Sequence, residues 1–297
     1  MKEIIIVSGK GGAGKSSTTA SLSVLLHKSG NKITTVDSDV DAPNLSIVLG
    51  TSITNYSEIK ASDKASIDYS KCIKCAKCIP ACKADAIFDS QDDVPTIIPF
   101  LCEGCGACAI VCPTDAISIN KVVNGRIGVA KTPYGFPIVS GQLDMGESSS
   151  GHIVTAVKAK GRKIAEESES DLILVDGPPG IGCPVIASMT GADSALVVTE
   201  PTPAATTSLD RILSVLEHFK IPANVVINRY DLNLEYTQHM EYLIKTKWNK
   251  NVLEKIPFDK NMLLSLSKRI PIVEYAPDSK ASQVLQSLSN KILKVLL

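Results

Sequence analysis

Ser8-Gly-Lys-Gly-Gly-Ala-Gly-Lys-Ser-Ser17 follows the apolar run Ile4-Ile5-Ile6-Val7 and leads into a helical pattern that begins near Lys15. Gly9, Gly14, Lys15 and Ser16 supply the spacing G-x-x-x-x-G-K-S, with Gly11, Gly12 and Ala13 between them. Glycines let backbone N–H groups converge on phosphate oxygens. Lys15 can reach the outer phosphates and Ser16 can hold Mg²⁺. The following helix, with Ser17 in its first turn, turns its positive end to the anion. A strand, a glycine loop and a helix in this order predict a nucleotide-phosphate site.

Lys10 narrows the class. It is a second lysine beside the first glycine and makes the loop K-G-G-x-G-K-S. This resembles the deviant phosphate loop of the ParA, MinD, Mrp and nitrogenase iron-protein superfamily. The resemblance implies a mainly parallel α/β sheet with helices on both faces, ATP and Mg²⁺ as ligands, and ATP hydrolysis. It also implies a homodimer formed on ATP binding, in which Lys10 reaches the partner's phosphates.

The chain has 297 residues, with 31 Lys plus Arg against 31 Asp plus Glu. No basic excess or acidic tail points to nucleic acid, and aromatics at 4% are too few for base-stacking platforms. Met1-Lys2-Glu3 runs straight into a strand without a signal-peptide pattern, and no apolar run approaches the ~20 residues that span a bilayer. A cytoplasmic protein without a membrane partner is expected.

Along the chain, the helix from Lys15 ends near Lys28 with Gly30-Asn31 behind it, and a strand from Lys32 to Val36 follows. That strand runs into Asp37-Ser38-Asp39-Val40-Asp41-Ala42-Pro43-Asn44-Leu45, with Pro43 expected at the first turn of a short helix. Carboxylates at the carboxyl end of a parallel strand share an edge with the phosphate loop. The stretch resembles the first switch of the same superfamily, which implies that Asp39 orients the attacking water or acts near Mg²⁺.

Nine cysteines are many for a reducing compartment, where clustered thiols favour metal ligation over disulfides. Eight form two runs, Cys72-x-x-Cys75-x-x-Cys78-x-x-x-Cys82 and Cys102-x-x-Cys105-x-x-Cys108-x-x-x-Cys112-Pro113, offset by 30 residues. The offset continues past the cysteines, since Asp85-Ala86-Ile87 matches Asp115-Ala116-Ile117, so the region is an internal duplication. The spacing resembles the bacterial two-cluster ferredoxin pattern, in which the fourth cysteine of each run serves the other cluster. The resemblance implies one [4Fe–4S] cluster on Cys72, Cys75, Cys78 and Cys112 and another on Cys102, Cys105, Cys108 and Cys82. Zinc is the rival for paired C-x-x-C, but it does not need three evenly spaced cysteines plus a fourth, twice. Lys83 stands where the second run has Pro113, which puts the first local turn in question.

The composition therefore divides the chain into a P-loop part at 1–61, a two-cluster ferredoxin-like insertion at 62–120 and the rest of the P-loop part at 121–297. After the insertion, Lys121 to Ser140 reads as two short strands around Thr132-Pro133-Tyr134-Gly135. A polar loop from Gln142 to Gly151 and a helix to about Ser168 follow. Leu172-Ile173-Leu174-Val175 reads as a buried parallel strand ending in Asp176-Gly177-Pro178-Pro179-Gly180. This resembles the second switch of the Mrp branch, which implies that Asp176 holds a water ligand of Mg²⁺ and that Gly180 offers its N–H to the γ-phosphate. Cys183 lies in this switch and reads as a small buried residue. Further strands are expected at Ser194–Thr199, Asn224–Asn228 and Asn251–Ile256. Asn228-Arg229 resembles the family's adenine-contacting pair, and Ile256-Pro257-Phe258 the segment packing the base. Ser279–Leu297 reads as an amphipathic helix packed on the sheet.

These readings together predict an ATPase that couples nucleotide state to low-potential electron transfer, with a redox or client protein as partner. An iron–sulfur cluster carrier is a second reading, although no cysteine follows Cys183. A positioning or partitioning ATPase with structural or sensory clusters is a third.

Overall fold

The computed structural model describes residues 1–90, 94–147 and 150–295. Its first part contains β1 (Lys2–Ser8), α1 (Lys15–Lys28), β2 (Ile33–Asp37), α2 (Leu45–Val48) and β3 (Tyr56–Ile59). The cysteine region contains β4 (Ser62–Ile67), α3 (Cys78–Ala81), β5 (Ile87–Asp89), β6 (Pro95–Ile97), α4 (Ala107–Ile110) and β7 (Ile117–Val122). Then come β8 (Gly125–Lys131), β9 (Pro137–Leu143), α5 (Ser150–Glu167), β10 (Leu172–Pro179), α6 (Cys183–Met189), β11 (Ser194–Thr199) and α7 (Pro203–His218). The chain closes with β12 (Ala223–Asn228), α8 (Leu234–Thr246), β13 (Val252–Ile256), α9 (Lys260–Lys268), α10 (Ile272–Tyr275) and α11 (Lys280–Val295).

The large sheet has the order β13-β12-β11-β1-β10-β2-β9-β8-β3. It is parallel from β13 to β9, and only β8 and β3 add antiparallel pairs at one edge. β1 lies between β10 and β11 and is covered on both faces, so Ile4 to Val7 are fully buried without polar alternation. Ile5 and Val7 enter one layer with α5, α7 and α8, while Ile4 and Ile6 enter the other with α1, α10 and α11. The protein is thus an α/β fold with a mainly parallel sheet flanked by helices.

α1 is buried nearly all round although it carries many hydroxyls. The hydroxyls of Thr18, Thr19, Ser21 and Ser23 each donate to the carbonyl four residues back, at 2.8–3.0 Å, so none of these hydroxyls is stranded in the core. Gly30 takes φ +92° just beyond the helix, the left-handed step that a glycine makes without a Cβ penalty. α11 buries Leu285, Leu288 and Ile292 against the layer that holds α1 and β13. Leu296, within the helix expected at Ser279–Leu297, lies outside the described residues. Among the described residues no helix is long and apolar enough to cross a membrane.

Two boundaries differ from the sequence reading. Pro43 precedes α2 instead of opening it, because Asn44 takes the cap position and the N–H of Leu45 donates to Asp37 Oδ2 at 2.9 Å. β9 continues through Leu143, so the loop before α5 starts at Asp144 and not at Gln142. The pairing of β9 with β8, which runs to Leu143, carries the strand further than its polar composition suggests.

The cysteine region forms a separate lobe of two small antiparallel sheets, β4–β7 and β5–β6. Each sheet takes one strand from each half of the duplication. Ile67 pairs with Ile117, and the residues offset by 30, Ile97 and Ile87, pair likewise. The halves are therefore interleaved about a local two-fold axis. Ser62 pairs with Val122, so the two ends of the insertion are adjacent and its loop-closure cost is small. Buried Asn124 ties this neck together. It accepts from Ala61 N–H at 2.9 Å and donates to Ser62 Oγ at 2.6 Å, and its backbone bonds Ile59 and Asp144.

Candidate functional site

Polar side chains collect where the parallel strands end. Ser8 ends β1, Asp37 ends β2, Asp176 lies near the end of β10, Glu200 follows β11 and Asn228 ends β12. Gly11, Gly12, Gly14, Lys15, Ser16, Ser17, Asp39, Asn44, Pro179 and Arg229 line one open cavity at this edge. A second cavity adjoins it, lined by Asn228, Arg229, Pro257, Phe258 and Leu263, and shares Gly14 and Ser17 with the first.

Lys15 lies at the centre of a buried charge cluster. Its Nζ donates to Asp176 Oδ1 at 3.0 Å, and Thr19 Oγ1, which shares its one proton between this oxygen and Lys15 O, lies 3.0 Å from it. Asp176 Oδ2 is buried with no hydrogen-bond partner among the described residues. Asp37 accepts from the N–H of Leu45 and of Asp39, yet burial first and the neighbouring Asp176 second push its pKa up to about 8. Burial also lifts Asp39, to about 6, against the pull of Lys15. Three carboxylates around one lysine leave an excess of buried negative charge, and the orphaned Asp176 oxygen is an acceptor awaiting a donor. A hydrated Mg²⁺ held by Ser16 and Asp176 fits both facts.

Several predicted residues are placed differently from expectation. Gly9 does not line the cavity. A Cβ there would stand 2.5 Å from Ser208, so this glycine permits the close packing of α7. A Cβ on Gly14 would stand 2.3 Å from the amide nitrogen of Asn228, which donates to Ala13 O at 2.9 Å. Asn228 thus braces the phosphate loop as well as lining the second cavity. The N–H of Gly180 donates to Ser8 O at 3.1 Å, so in this state it is engaged by the main chain, and Pro179 is the switch residue that faces the cavity. Lys10 forms an ion pair with Glu200, whose other oxygen accepts from Arg229 at 3.2 Å. Glu200 and Thr19 escaped the sequence reading, although Glu200 follows a strand at the ligand-binding edge and could have been found by that rule. Cys183 is exposed at the start of α6 and is not a core residue.

In the lobe, Cys72, Cys75, Cys78 and Cys112 line one small cavity, and Cys82, Cys102, Cys105 and Cys108 line another. Interleaving causes the crossing, because each fourth cysteine follows the helix of one half and faces the cavity of the other. Backbone N–H groups point at the sulfurs. Ala86 donates to Cys82 Sγ at 3.2 Å and, 30 residues on, Ala116 donates to Cys112 Sγ at 3.3 Å. Cys102 Sγ accepts from Ala65 and Gly104, both at 3.4 Å. The left-handed positions repeat too: Lys74 with Gly104, Ala76 with Gly106, and Asp85 with Asp115. Lys83 therefore leaves the turn unchanged relative to its Pro113 counterpart. Among the described residues no three His, Cys, Asp or Glu side chains converge as ligands for one metal ion.

The model of the CobQ/CobB/MinD/ParA nucleotide-binding domain matches residues 4–272. The chain belongs to this family. It is a MinD/ParA-type P-loop ATPase at the level the family defines. An uncharacterized protein of Methanocaldococcus jannaschii is 34% identical over 98% of this chain and 96% of its own length. An iron–sulfur cluster carrier protein of Pyrococcus furiosus is 22% identical over 99% of this chain and 86% of its own. The septum site-determining protein MinD of Pyrococcus horikoshii, solved with Mg-ADP, shares the fold with a TM-score of 0.60. Its identity is 24%, with 99% of this chain and 97% of that one covered. The family assignment accounts for the phosphate loop and for the carboxylates that face it.

Proposed function

We propose that this chain is an ATP-switched dimer that couples nucleotide state to low-potential electron transfer through two [4Fe–4S] clusters. The observation that carries the reading is the pair of cavities, each lined by three cysteines of one run and the fourth of the other. A cubane spreads four thiolates over its four irons, whereas zinc gathers them on one atom, and main-chain N–H donors to sulfur suit the anionic thiolates of a cluster. Such clusters supply one-electron storage.

In the nucleotide site, Lys15 and the loop N–H groups would hold the phosphates, Ser16 and Asp176 would hold Mg²⁺, and Asp39 would orient the attacking water. Asn228 and Arg229 would flank the base. Lys10 would leave Glu200 to reach the partner's nucleotide, and Gly180 would leave Ser8 to meet the γ-phosphate. A physical link to the lobe supports coupling. Val40, next to Asp39, accepts from Leu143 N–H at 2.9 Å. Four residues on, Glu147 pairs with buried Lys64 at 3.2 Å, and Lys64 precedes Ala65, which donates to Cys102 Sγ. A shift of the first switch therefore has a short path to one cysteine set.

The test is an EPR-monitored redox titration of anaerobically purified protein with and without Mg-ATP. A reduced-cluster signal whose midpoint moves with nucleotide is expected; a superimposable pair of titrations sinks the coupling. The likeness to a cluster carrier favours a second reading, in which iron and sulfide pass to an apo-protein. Loss of clusters from this chain to an apo-ferredoxin during incubation would favour that one.

A further inference from the structure

The duplication supplies its own internal control. Between residues 71 and 83 the first half carries Lys71, Lys74, Lys77 and Lys83 and no acid, with Asp68 and Asp85 just outside. At the same places, 30 residues on, the second half carries Leu101, Gly104, Ala107 and Pro113. Both halves build the same turns and cavities, so the lysines are not needed for the fold or the cysteine geometry. All four are exposed, and Ile73 stands among them at 62% exposure beside exposed Cys75. The position equivalent to Ile73 is Glu103. Lys71 lies 3.7 Å from Asp68, an exposed pair that contributes little in water.

The two cysteine sets also differ in place. The second lies on the side nearer the ATPase body: Lys64, which donates to Pro99 O of that half at 2.8 Å, pairs with Glu147 of the body at 3.2 Å. Phe100 of the same half meets Gly146 of the body. None of these contacts involves the Lys71–Lys83 segment. An apolar centre within a charged rim, over one of two otherwise equivalent sites, is the anatomy of a transient docking surface.

Resting on the two-cluster reading, we propose that this basic face receives an acidic protein electron carrier, which exchanges one electron with the cluster on Cys72, Cys75, Cys78 and Cys112. When the carrier is the donor, its reduced centre loses one electron and a [4Fe–4S]²⁺ gains it to become 1+. No covalent bond forms or breaks. The electron then has the inner cluster and the ATPase side ahead of it.

The experiment uses the anaerobic holoprotein, the double variant Lys71→Glu/Lys77→Glu, and Lys131→Glu/Lys245→Glu, which changes net charge equally on the ATPase body. Iron analysis comes first. A wild type without about eight irons per chain breaks the two-cluster reading itself and is a different failure. With iron equal in all three, stopped-flow reduction by an acidic flavodoxin is measured at low and high salt, and binding of the oxidised flavodoxin by calorimetry. The lobe variant should be reduced at least ~10-fold more slowly at low ionic strength and bind more weakly, with the gap closing near ~0.5 M salt, while the body variant matches wild type. Equal rates and affinities in all three proteins overturn the proposal. So does lysine-dependent binding of anionic vesicles or single-stranded DNA with none of flavodoxin.

Discussion

At the carboxyl edge of the large sheet, Lys15 and Asp176 meet at 3.0 Å with side chains 7% and 0% exposed. In the lobe, by contrast, Cys75 and Cys105 stand in solvent. The nucleotide site rests on two extensive apolar layers, so its charges are held in place before any ligand arrives. Among the described residues, the lobe's buried apolar set is Ala65, Ala86, Ile87, Ala116, Ile117 and three of the cysteines, Cys78, Cys102 and Cys108. A core that small does little to offset the conformational entropy of the lobe's ~60 residues, so on the proposed two-cluster reading ligation would contribute to its folding. One site is preorganised by its surroundings, whereas the other, on the proposed reading, would depend on what it binds.

The largest effects should come from severing the lobe's ligation. Cys112→Ala removes a second-run residue from the first-run cavity. Iron content should fall by at least about half and lobe amides should lose hydrogen-exchange protection, with Mg-ATP binding to the body retained. Loss of iron only from the second run's own site would break the crossed arrangement. On the other side, Lys15→Ala strands a buried carboxylate, a change that typically costs about 3–5 kcal/mol. Nucleotide affinity should drop more than ~100-fold with iron unchanged, as read by calorimetry and iron analysis. Lys10→Ala should lower ATP turnover by at least ~10-fold and spare iron content and nucleotide binding by a single chain, because on the proposed dimer reading half-buried Lys10 would leave Glu200 to serve the partner. Unchanged turnover would sink the dimer mechanism.

A smaller effect sharpens the electrostatic half of the contrast. Asp39 has a folded pKa of about 6, above its ordinary 3.8, so the folded state binds the extra proton between these values. Its charged form is penalised by burial, and stability therefore falls as pH rises through that window. Asp39→Asn should leave the melting temperature of the nucleotide-free protein unchanged near pH 4 and raise it at pH 7, while hydrolysis is lost. The smallest effects lie in the loops of the lobe. Gly106 and Ala76 hold the same left-handed conformation, at φ +80° and +54°. Ala76→Gly should stabilise the lobe, and Gly106→Ala destabilise it, each by about 1 kcal/mol, measured by denaturant unfolding of the holoprotein. Gly104→Ala should cost more, since its Cβ would stand 2.0 Å from Asp63 O.

The local signals were legible because each carries its own geometry. The phosphate loop lies between β1 and α1, and α1 starts and ends at the residues read from its pattern. β11 likewise runs from Ser194 to Thr199. The cysteine offset marked the duplication. Other features left no local trace. A glutamate after a strand has no signature of its own, so the Lys10–Glu200–Arg229 contact was unseen. Lys74 and Ala76 take left-handed backbone without a glycine to announce it. Gly180 looked like a phosphate donor, but its N–H is held by Ser8 across a neighbouring strand.

By itself the sequence determined the family and the duplicated cysteine spacing, because those depend on order along the chain. Only the tertiary structure decided that Asp176 is shared by Lys15 and Thr19, that Lys10 is held by Glu200, and that Lys64 joins Glu147 next to the Ala65–Cys102 contact. It also decided which cysteine set faces the body and which faces outward. Each of these is a contact between segments distant in sequence, and burial and charge act through space and not along the chain.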